Sequence, residues 1–337
     1  MIWRDVELFN VNRIEEQSDG SLRLYRFPVP VSDVFAKESD FVKTVGEMTT
    51  GCEIRFVGEE VDITLSSDCN GLVEIYRGDF FCRVEYLTAN EKKHISLRST
   101  VQLDRNKVQL DKSVYQGRFA HEVWRVVFGH DICITLHSVE TNSSIRPPKA
   151  EELPQKKLLA YGSSITHSAC SIQFTNSYIY TVGKFLGVDV LCKGMGGSCF
   201  CQKEVADYIA EEDWDIVTLE LGVNMVATYP VEEFERRATY VVKRALERGK
   251  PVVMIGIFTN FSFLPNGFAF ALNKAYVECF EKIYQTLKCE NLYYICGRDI
   301  VTDWDYLTTD LIHPSPYGHG EMGRKIAKKI REEFQII

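Results

Sequence analysis

The sequence predicts two domains of different class. Residues 1–150 read as an antiparallel β-sandwich of jelly-roll type. Residues 151–337 read as a three-layer α/β domain, flavodoxin-like, with a mostly parallel five-stranded sheet. Three observations predict this. From about residue 51 to residue 139 hydrophobic side chains recur with period two, as in strands that bury one face. Beyond residue 155 short apolar runs alternate with amphipathic helical stretches, the pattern of βα units that build a parallel sheet with right-handed crossovers. Between the two regimes, residues 142–154 are polar and charged and carry Pro147, Pro148 and Pro154, as a linker does.

In the first half, Glu53-Ile-Arg-Phe-Val57, Val61-Asp-Ile-Thr-Leu65, Leu72-Val-Glu-Ile-Tyr76 and Ile132-Cys-Ile-Thr-Leu136 are the clearest strands. Turn residues separate them at 67–71, 77–79 and 129–131. Helical periodicity is confined to about 32–45. Tyr76, Phe80 and Trp124 suit either stacking on a sugar or sandwich core, and β-patterned positions favour core. Shaping one wall of an active site and forming an oligomer interface are further roles open to the module.

In the second half, strands are expected at 158–161, 188–192, 216–221, 252–258 and 292–296. Helices are expected at about 176–187, 202–211, 231–248, 270–288 and 317–334. Pro230 precedes an apolar stripe of Val231, Phe234, Ala238 and Val241, as at a helix start. In such a sheet every βα turn opens on one edge, where chemistry collects. The first turn holds Gly162-Ser-Ser164 and the second Lys193-Gly-Met-Gly-Gly-Ser198. The third holds Gly222-Val-Asn224, and a later loop holds Asp310-Leu-Ile-His313-Pro314.

Composition narrows the field. Hydrophobic residues make up 45% of the 337, enough for two packed cores. A net charge of −8 with no basic cluster argues against nucleic acid or an anionic membrane as partner. No apolar run approaches the length of a membrane span, about 18 residues. The amino terminus lacks the basic start and apolar core of a signal peptide. Eleven cysteines, an odd number scattered through apolar runs, predict reduced thiols and a cytoplasmic protein.

Residues 156–335 resemble the SGNH (GDSL) hydrolase superfamily, on the four turn motifs taken in order. The resemblance implies that Ser164 is the nucleophile, that Asp310 and His313 complete its triad, and that Ser164, Gly194 and Asn224 form the oxyanion hole. It departs from the family at Ser163 and Met225, where aspartates are usual, which bears on hydrogen bonding around the nucleophile turn. A sandwich followed by such a domain is similar to two-domain carbohydrate esterases. A metal-independent serine esterase is therefore expected, without cofactor, that removes small acyl groups, acetyl first, from an oligosaccharide or small-molecule ester. Phe261, Phe263, Trp304 and Tyr306, with Phe268 and Phe270, are the candidate substrate-binding aromatics.

The chemistry suits these residue types. A serine hydroxyl is a weak nucleophile until a base takes its proton, and a histidine held by a carboxylate is such a base. Other readings of the same residues stand beside this one. The serines can merely form a turn, and Asp310 to Pro314 can merely cap the last helix. His167 and His319 are rival bases without a carboxylate at the matching spacing. Cys170, Cys199 and Cys201 lack a convincing zinc pattern, and Gly194-x-Gly196 lacks the third glycine of a dinucleotide turn. Alternative functions are an acyltransferase on the same triad, an esterase of non-sugar short-chain esters, and a silent carbohydrate-binding protein. The composition is compatible with a homo-oligomer.

Overall fold

The computed structural model describes residues 1–98, 117–226, 228–264 and 269–335. Its contacts divide the chain into two compact units. The first comprises Met1–Val29 and Gly46–Gln155, and the second Pro30–Val45 and Lys156–Ile337.

The first unit is an antiparallel sandwich. One sheet has six strands in the order β1 (Ile2–Trp3), β2 (Val6–Phe9), β5 (Glu53–Val57), β10 (Val123–Phe128), β7 (Gly71–Arg77), β8 (Phe80–Leu87). The other has five, in the order β3 (Arg13–Glu16), β4 (Leu22–Tyr25), β11 (Ile134–Glu140), β6 (Glu60–Ser67), β9 (Lys93–Arg98). Alternate residues of the facing strands fill one core, among them Leu8, Leu24, Ile54, Phe56, Ile63, Leu65, Ile75, Val126 and Leu136. Trp124 belongs to that core and donates its indole N–H to the Gly58 carbonyl at 3.0 Å. Tyr76 is half-buried against Phe81, and Phe80 is exposed.

On their other face β5 and β10 carry a buried ionic cluster. Glu53 accepts from Arg55 Nε at 2.7 Å and from Arg125 at 2.5 and 2.8 Å. Both guanidinium groups lie on aromatic rings, Arg55 over Phe9 and Arg125 over Phe119. Burial alone would raise the Glu53 carboxyl; Arg125 and Arg55 together hold it below the usual range.

The second unit is the three-layer α/β domain. Its sheet is parallel throughout, in the order β13 (Asp189–Gly194), β12 (Lys157–Gly162), β14 (Ile216–Glu220), β15 (Val252–Ile255), β16 (Leu292–Ile295). The chain runs from β12 to β13 on one side and then crosses back to β14 on the other. That reversal puts the switch point at the carboxyl ends of β12 and β14, where open α/β sheets form their crevice. Gly162 and Glu220 are the paired last residues there.

Helices Tyr178–Leu186, Lys203–Glu211, Val231–Leu246, Phe270–Leu287 and Pro316–Phe334 connect or follow the strands. Ser177 caps the first of these, and Gly187, at φ 69°, ends it.

Residues Pro30–Val45 depart from the expected domain division. They form most of two helices, Val29–Glu38 and Asp40–Glu47, and belong to the second unit, not to the sandwich. Val31, Phe35, Val42 and Val45 are buried, and Glu38 accepts from Gln202 Nε2 at 3.2 Å and from the Tyr229 hydroxyl at 2.7 Å. Among the described residues, no helix is long and apolar enough to cross a membrane.

Candidate active site

The strand Lys157–Gly162 is buried along nearly its whole length, so its end must turn sharply at the sheet edge. His167 N–H donates to the Ser163 carbonyl at 2.9 Å and Ala169 N–H to the Ser164 carbonyl at 2.9 Å, and these bonds close the turn. The Ser164 side chain is left to face the loop before the last helix. Its Oγ lies 2.8 Å from His313 Nε2. His313 Nδ1 lies 2.6 Å from Asp310 Oδ2. A carboxylate only accepts, so Nδ1 carries the proton and Nε2 is the acceptor for the serine hydroxyl.

Asp310 is itself held by its other oxygen. Oδ1 accepts from Thr308 Oγ1 at 2.9 Å and from the N–H groups of Ile312 and His313 at 2.8 and 2.9 Å. Partial burial raises the Asp310 carboxyl, but the bonds from His313, Ile312 and Thr308 outweigh it and hold it well below the usual carboxylate range. The loop is tied at both ends: Thr308 N–H donates to the His313 carbonyl at 2.8 Å, and Phe261 N–H to the Leu311 carbonyl at 2.8 Å. Asp310 and His313 do not cap the last helix; Ser315 does, accepting from Gly318 N–H at 3.1 Å.

Asn224 follows β14. Its Oδ1 accepts from Cys199 N–H at 3.2 Å, which turns the amide NH2 the other way. Among the glycines of the second turn, Gly194 closes β13 with its α-carbon against His167, where an added β-carbon would lie 2.3 Å from the His167 nitrogen. Gly196 is the glycine beside the serine; a β-carbon there would meet Ser164 Cβ at 3.8 Å. Neither Ser164 nor Gly196 donates its backbone N–H to any group among the described residues.

The rival bases are both buried. His319 is fully buried, its Nδ1 taking Tyr178 N–H at 3.2 Å and its Nε2 donating to the Ala169 carbonyl at 2.9 Å. His167 is buried as well. Cys199 and Cys201 are buried, and burial holds the Cys199 thiol up, away from thiolate. Cys170 differs: it is exposed, and its sulfur, a ring nitrogen of His313 and an oxygen of Asp310 lie within 4.8 Å of one another.

Of the expected aromatics, Phe261 lines a cavity of about 160 Å³ that Ile312, between Asp310 and His313, also lines. Its other walls are Val223, Val226, Ala269 and Ile312, with Asn260, Ser262 and Asn273 supplying polar groups. Phe263 lies under Arg298, Tyr306 packs on Tyr317 and under Lys325, and Trp304 is exposed; none of the three lines this cavity. Phe270 is exposed, and Phe268 lies outside the described residues. A larger cavity, about 460 Å³, is lined by Glu38, Gln202, Lys203, Glu204, Arg236 and Arg237 among others, and Ser164, Asp310 and His313 are not among its walls.

Two features of the site were not anticipated. Glu220, only 1% exposed, lies beneath the turn that holds Ser164 and accepts there from Ser163 and Thr166. Burial raises its carboxyl to about 7, against the lowering effect of those bonds. The sequence signal was one acid in an otherwise apolar strand end, Leu219-Glu-Leu221. The second is Phe41, which approaches the glycine turn from the segment Pro30–Val45: a β-carbon on Gly197 would lie 3.1 Å from its ring. Met225, at one of the departures, is fully buried and its carbonyl accepts from Tyr276 OH at 3.0 Å.

No curated protein matches the chain by sequence. Solved structures do match over nearly the whole length. The salicylyl-acyltransferase SsfX3 from a tetracycline biosynthetic pathway is 14% identical with a TM-score of 0.75, over 98% of this chain and 95% of that one. A putative GDSL-like lipase from Bacteroides ovatus is 16% identical with a TM-score of 0.70, over 99% and 97%. A family two carbohydrate esterase from Cellvibrio japonicus is 14% identical with a TM-score of 0.67, over 98% and 96%. At such identities the likeness is one of fold, whereas residues 155–331 match the sequence model of the GDSL-like lipase/acylhydrolase family itself. The chain is a member of the GDSL-like lipase/acylhydrolase family.

Proposed function

We propose that the protein is a serine esterase that hydrolyses small acyl esters, acetyl foremost, borne by a carbohydrate. The observation that carries this reading is the hydrogen-bonded series Ser164–His313–Asp310 at the switch-point edge of the sheet. In the first half-reaction the Ser164 hydroxyl gives its proton to His313 Nε2 as Oγ attacks the ester carbonyl carbon. The carbonyl oxygen becomes an oxyanion, for which the N–H groups of Ser164 and Gly196 and the Asn224 amide are the donors. We assign the glycine donor to Gly196 in place of Gly194, because of its position beside Ser164. Collapse breaks the ester bond, and the departing alkoxide takes the proton from Nε2. Water then repeats the sequence against the acyl-serine, with His313 again the base, and releases the acid.

Asp310 keeps the imidazole in the required tautomer and favours its protonated form. The small apolar cavity beside Ile312 and Val223 suits a short acyl chain. The fold likeness to carbohydrate esterases favours a sugar as the alcohol part. The likeness to an acyltransferase favours a second reading, in which an acceptor hydroxyl replaces water.

Acetate release from acetylated oligosaccharides and from 4-nitrophenyl acetate tests the proposal. Wild type should turn over, and Ser164→Ala should lose several orders of magnitude, of the kind seen when a triad nucleophile is removed, about 10⁶. New ester in place of free acid when sugars are added would favour the transferase. Equal rates for wild type and variant would remove Ser164 from the chemistry.

A further inference from the structure

Glu220 is buried, ionisable and takes no part in the proton transfers above. A carboxyl in a fully buried strand is costly unless it has work that an aliphatic residue cannot do. Its hydrogen bonds indicate that work. Oε2 accepts from Ser163 N–H at 2.7 Å, from Ser163 Oγ at 2.6 Å and from Thr166 Oγ1 at 3.1 Å. These donors lie on either side of Ser164 in the chain. Ser164 must keep its own hydroxyl for His313, so the turn has to be held by its neighbours.

The fit is close. A β-carbon on Gly162 would lie 2.7 Å from Glu220 Oε2 and 2.3 Å from Thr166 Oγ1, so only glycine lets the carboxyl reach the turn. Thr166 Oγ1 also lies 2.7 Å from the Tyr178 hydroxyl, which links the arrangement to the first residue of helix Tyr178–Leu186. The same strand end leads, through Gly222, to Asn224. One element therefore bears on both the nucleophile and an oxyanion donor.

We propose that Glu220 is a positioning residue for Ser164, fixing the bearing of the nucleophile by accepting hydrogen bonds from the turn on both sides of it. The proposal rests on the reading of Ser164 as nucleophile. Misplacement of a reacting atom by about 1 Å is enough to cost 10²-fold in rate.

The test uses a serine-directed fluorophosphonate, with the modified peptide identified by mass. The labelling rate at saturation and the half-saturating concentration are measured for wild type, Glu220→Gln, Glu220→Leu and the double variant Ser163→Ala/Thr166→Val. Glutamine keeps an acceptor oxygen in place and should label at close to the wild-type rate. Leucine cannot accept, and its saturating rate should fall about 10²-fold with the half-saturating concentration unchanged. The double variant strips the side-chain donors and should fall in the same parameter, and it decides the matter if Glu220→Leu does not fold. Wild-type rates in folded Glu220→Leu or in the folded double variant would overturn the proposal. So would a loss in Glu220→Gln as deep as in Glu220→Leu. A wild type unlabelled at Ser164 would overturn the esterase reading itself.

Discussion

Asp310 is bonded to the His313 imidazole, and its geometry defines what each substitution should do. Oδ2 faces the ring and Oδ1 faces the loop backbone, so the two oxygens separate orientation of His313 from integrity of the loop. Asp310→Asn offers an amide that can donate to Nδ1, which selects the wrong tautomer while the shape is kept. We expect kcat on 4-nitrophenyl acetate to fall by a factor on the order of 10⁴. Asn224→Ala removes one oxyanion donor and should cost about 3–4 kcal/mol, roughly 10²–10³ in kcat, with KM little changed. Cys170 is exposed beside Asp310 and His313, and the proposed steps do not use it. Cys170→Ala should keep wild-type kcat and should protect the enzyme from inactivation by a bulky maleimide. Inactivation of the variant at the wild-type rate would contradict that placement. Ser164, Asn224, Asp310 and His313 stand out in the sequence because each sits at a strand end or a fixed spacing in a turn. Glu220 and Gly196 do not, because their significance lies in what approaches them in space.

At the scale of elements, the parallel sheet was the readable part. Its five strands are short, mainly apolar runs bounded by polar turns; helices Tyr178–Leu186 and Pro316–Phe334 start on serine caps and Val231–Leu246 on Pro230. Helix Phe270–Leu287 instead follows Ala269, at φ 68° and without a side-chain cap. The sandwich was less readable for physical reasons. β10 is buried at every position from Val123 to Phe128 with Arg125 in its middle, so it shows no alternation. β1 to β4 are only two to four residues long, and β3, Arg13–Glu16, lies at a sheet edge and is mostly charged. Helical periodicity at about 32–45 marks the stretch that folds as Val29–Glu38 and Asp40–Glu47, but not its partner, since amphipathicity says that a face is buried and not against what. Phe41, 59% exposed, brings an aromatic face from that segment to the glycine turn. We expect Phe41→Ala to raise KM for an acetylated sugar while leaving that for 4-nitrophenyl acetate and the melting temperature near wild type. An equal change for both esters would assign Phe41 to packing alone.

At the scale of the whole molecule, two buried glutamates act on stability with opposite sign. Glu220 is held at about 7 in the folded state against an ordinary value of 4.5. The folded protein therefore binds the extra proton between these values, and stability falls as pH rises through that window. Glu53 is held low by Arg125 and Arg55, so the stability it contributes is present above the ordinary glutamate range and is lost as pH falls below it. Melting temperature followed from about pH 5 to about pH 8 should decline less in Glu220→Gln than in wild type. An identical decline would mean that Glu220 does not carry the proton. Arg125→Ala leaves Glu53 with one cation in a buried site and should cost about 3–5 kcal/mol, measurable by urea unfolding.

In the proposed reaction Ser164 carries the acyl group between the two half-reactions. Acid quenching of wild type during turnover of 4-nitrophenyl acetate, followed by peptide mass analysis, tests it most directly. One acetyl group is expected on the peptide that contains Ser164, absent from Ser164→Ala and accumulating in variants slowed in the second half-reaction. Turnover with no acetyl on Ser164, or with acetyl carried by Cys170, would contradict it.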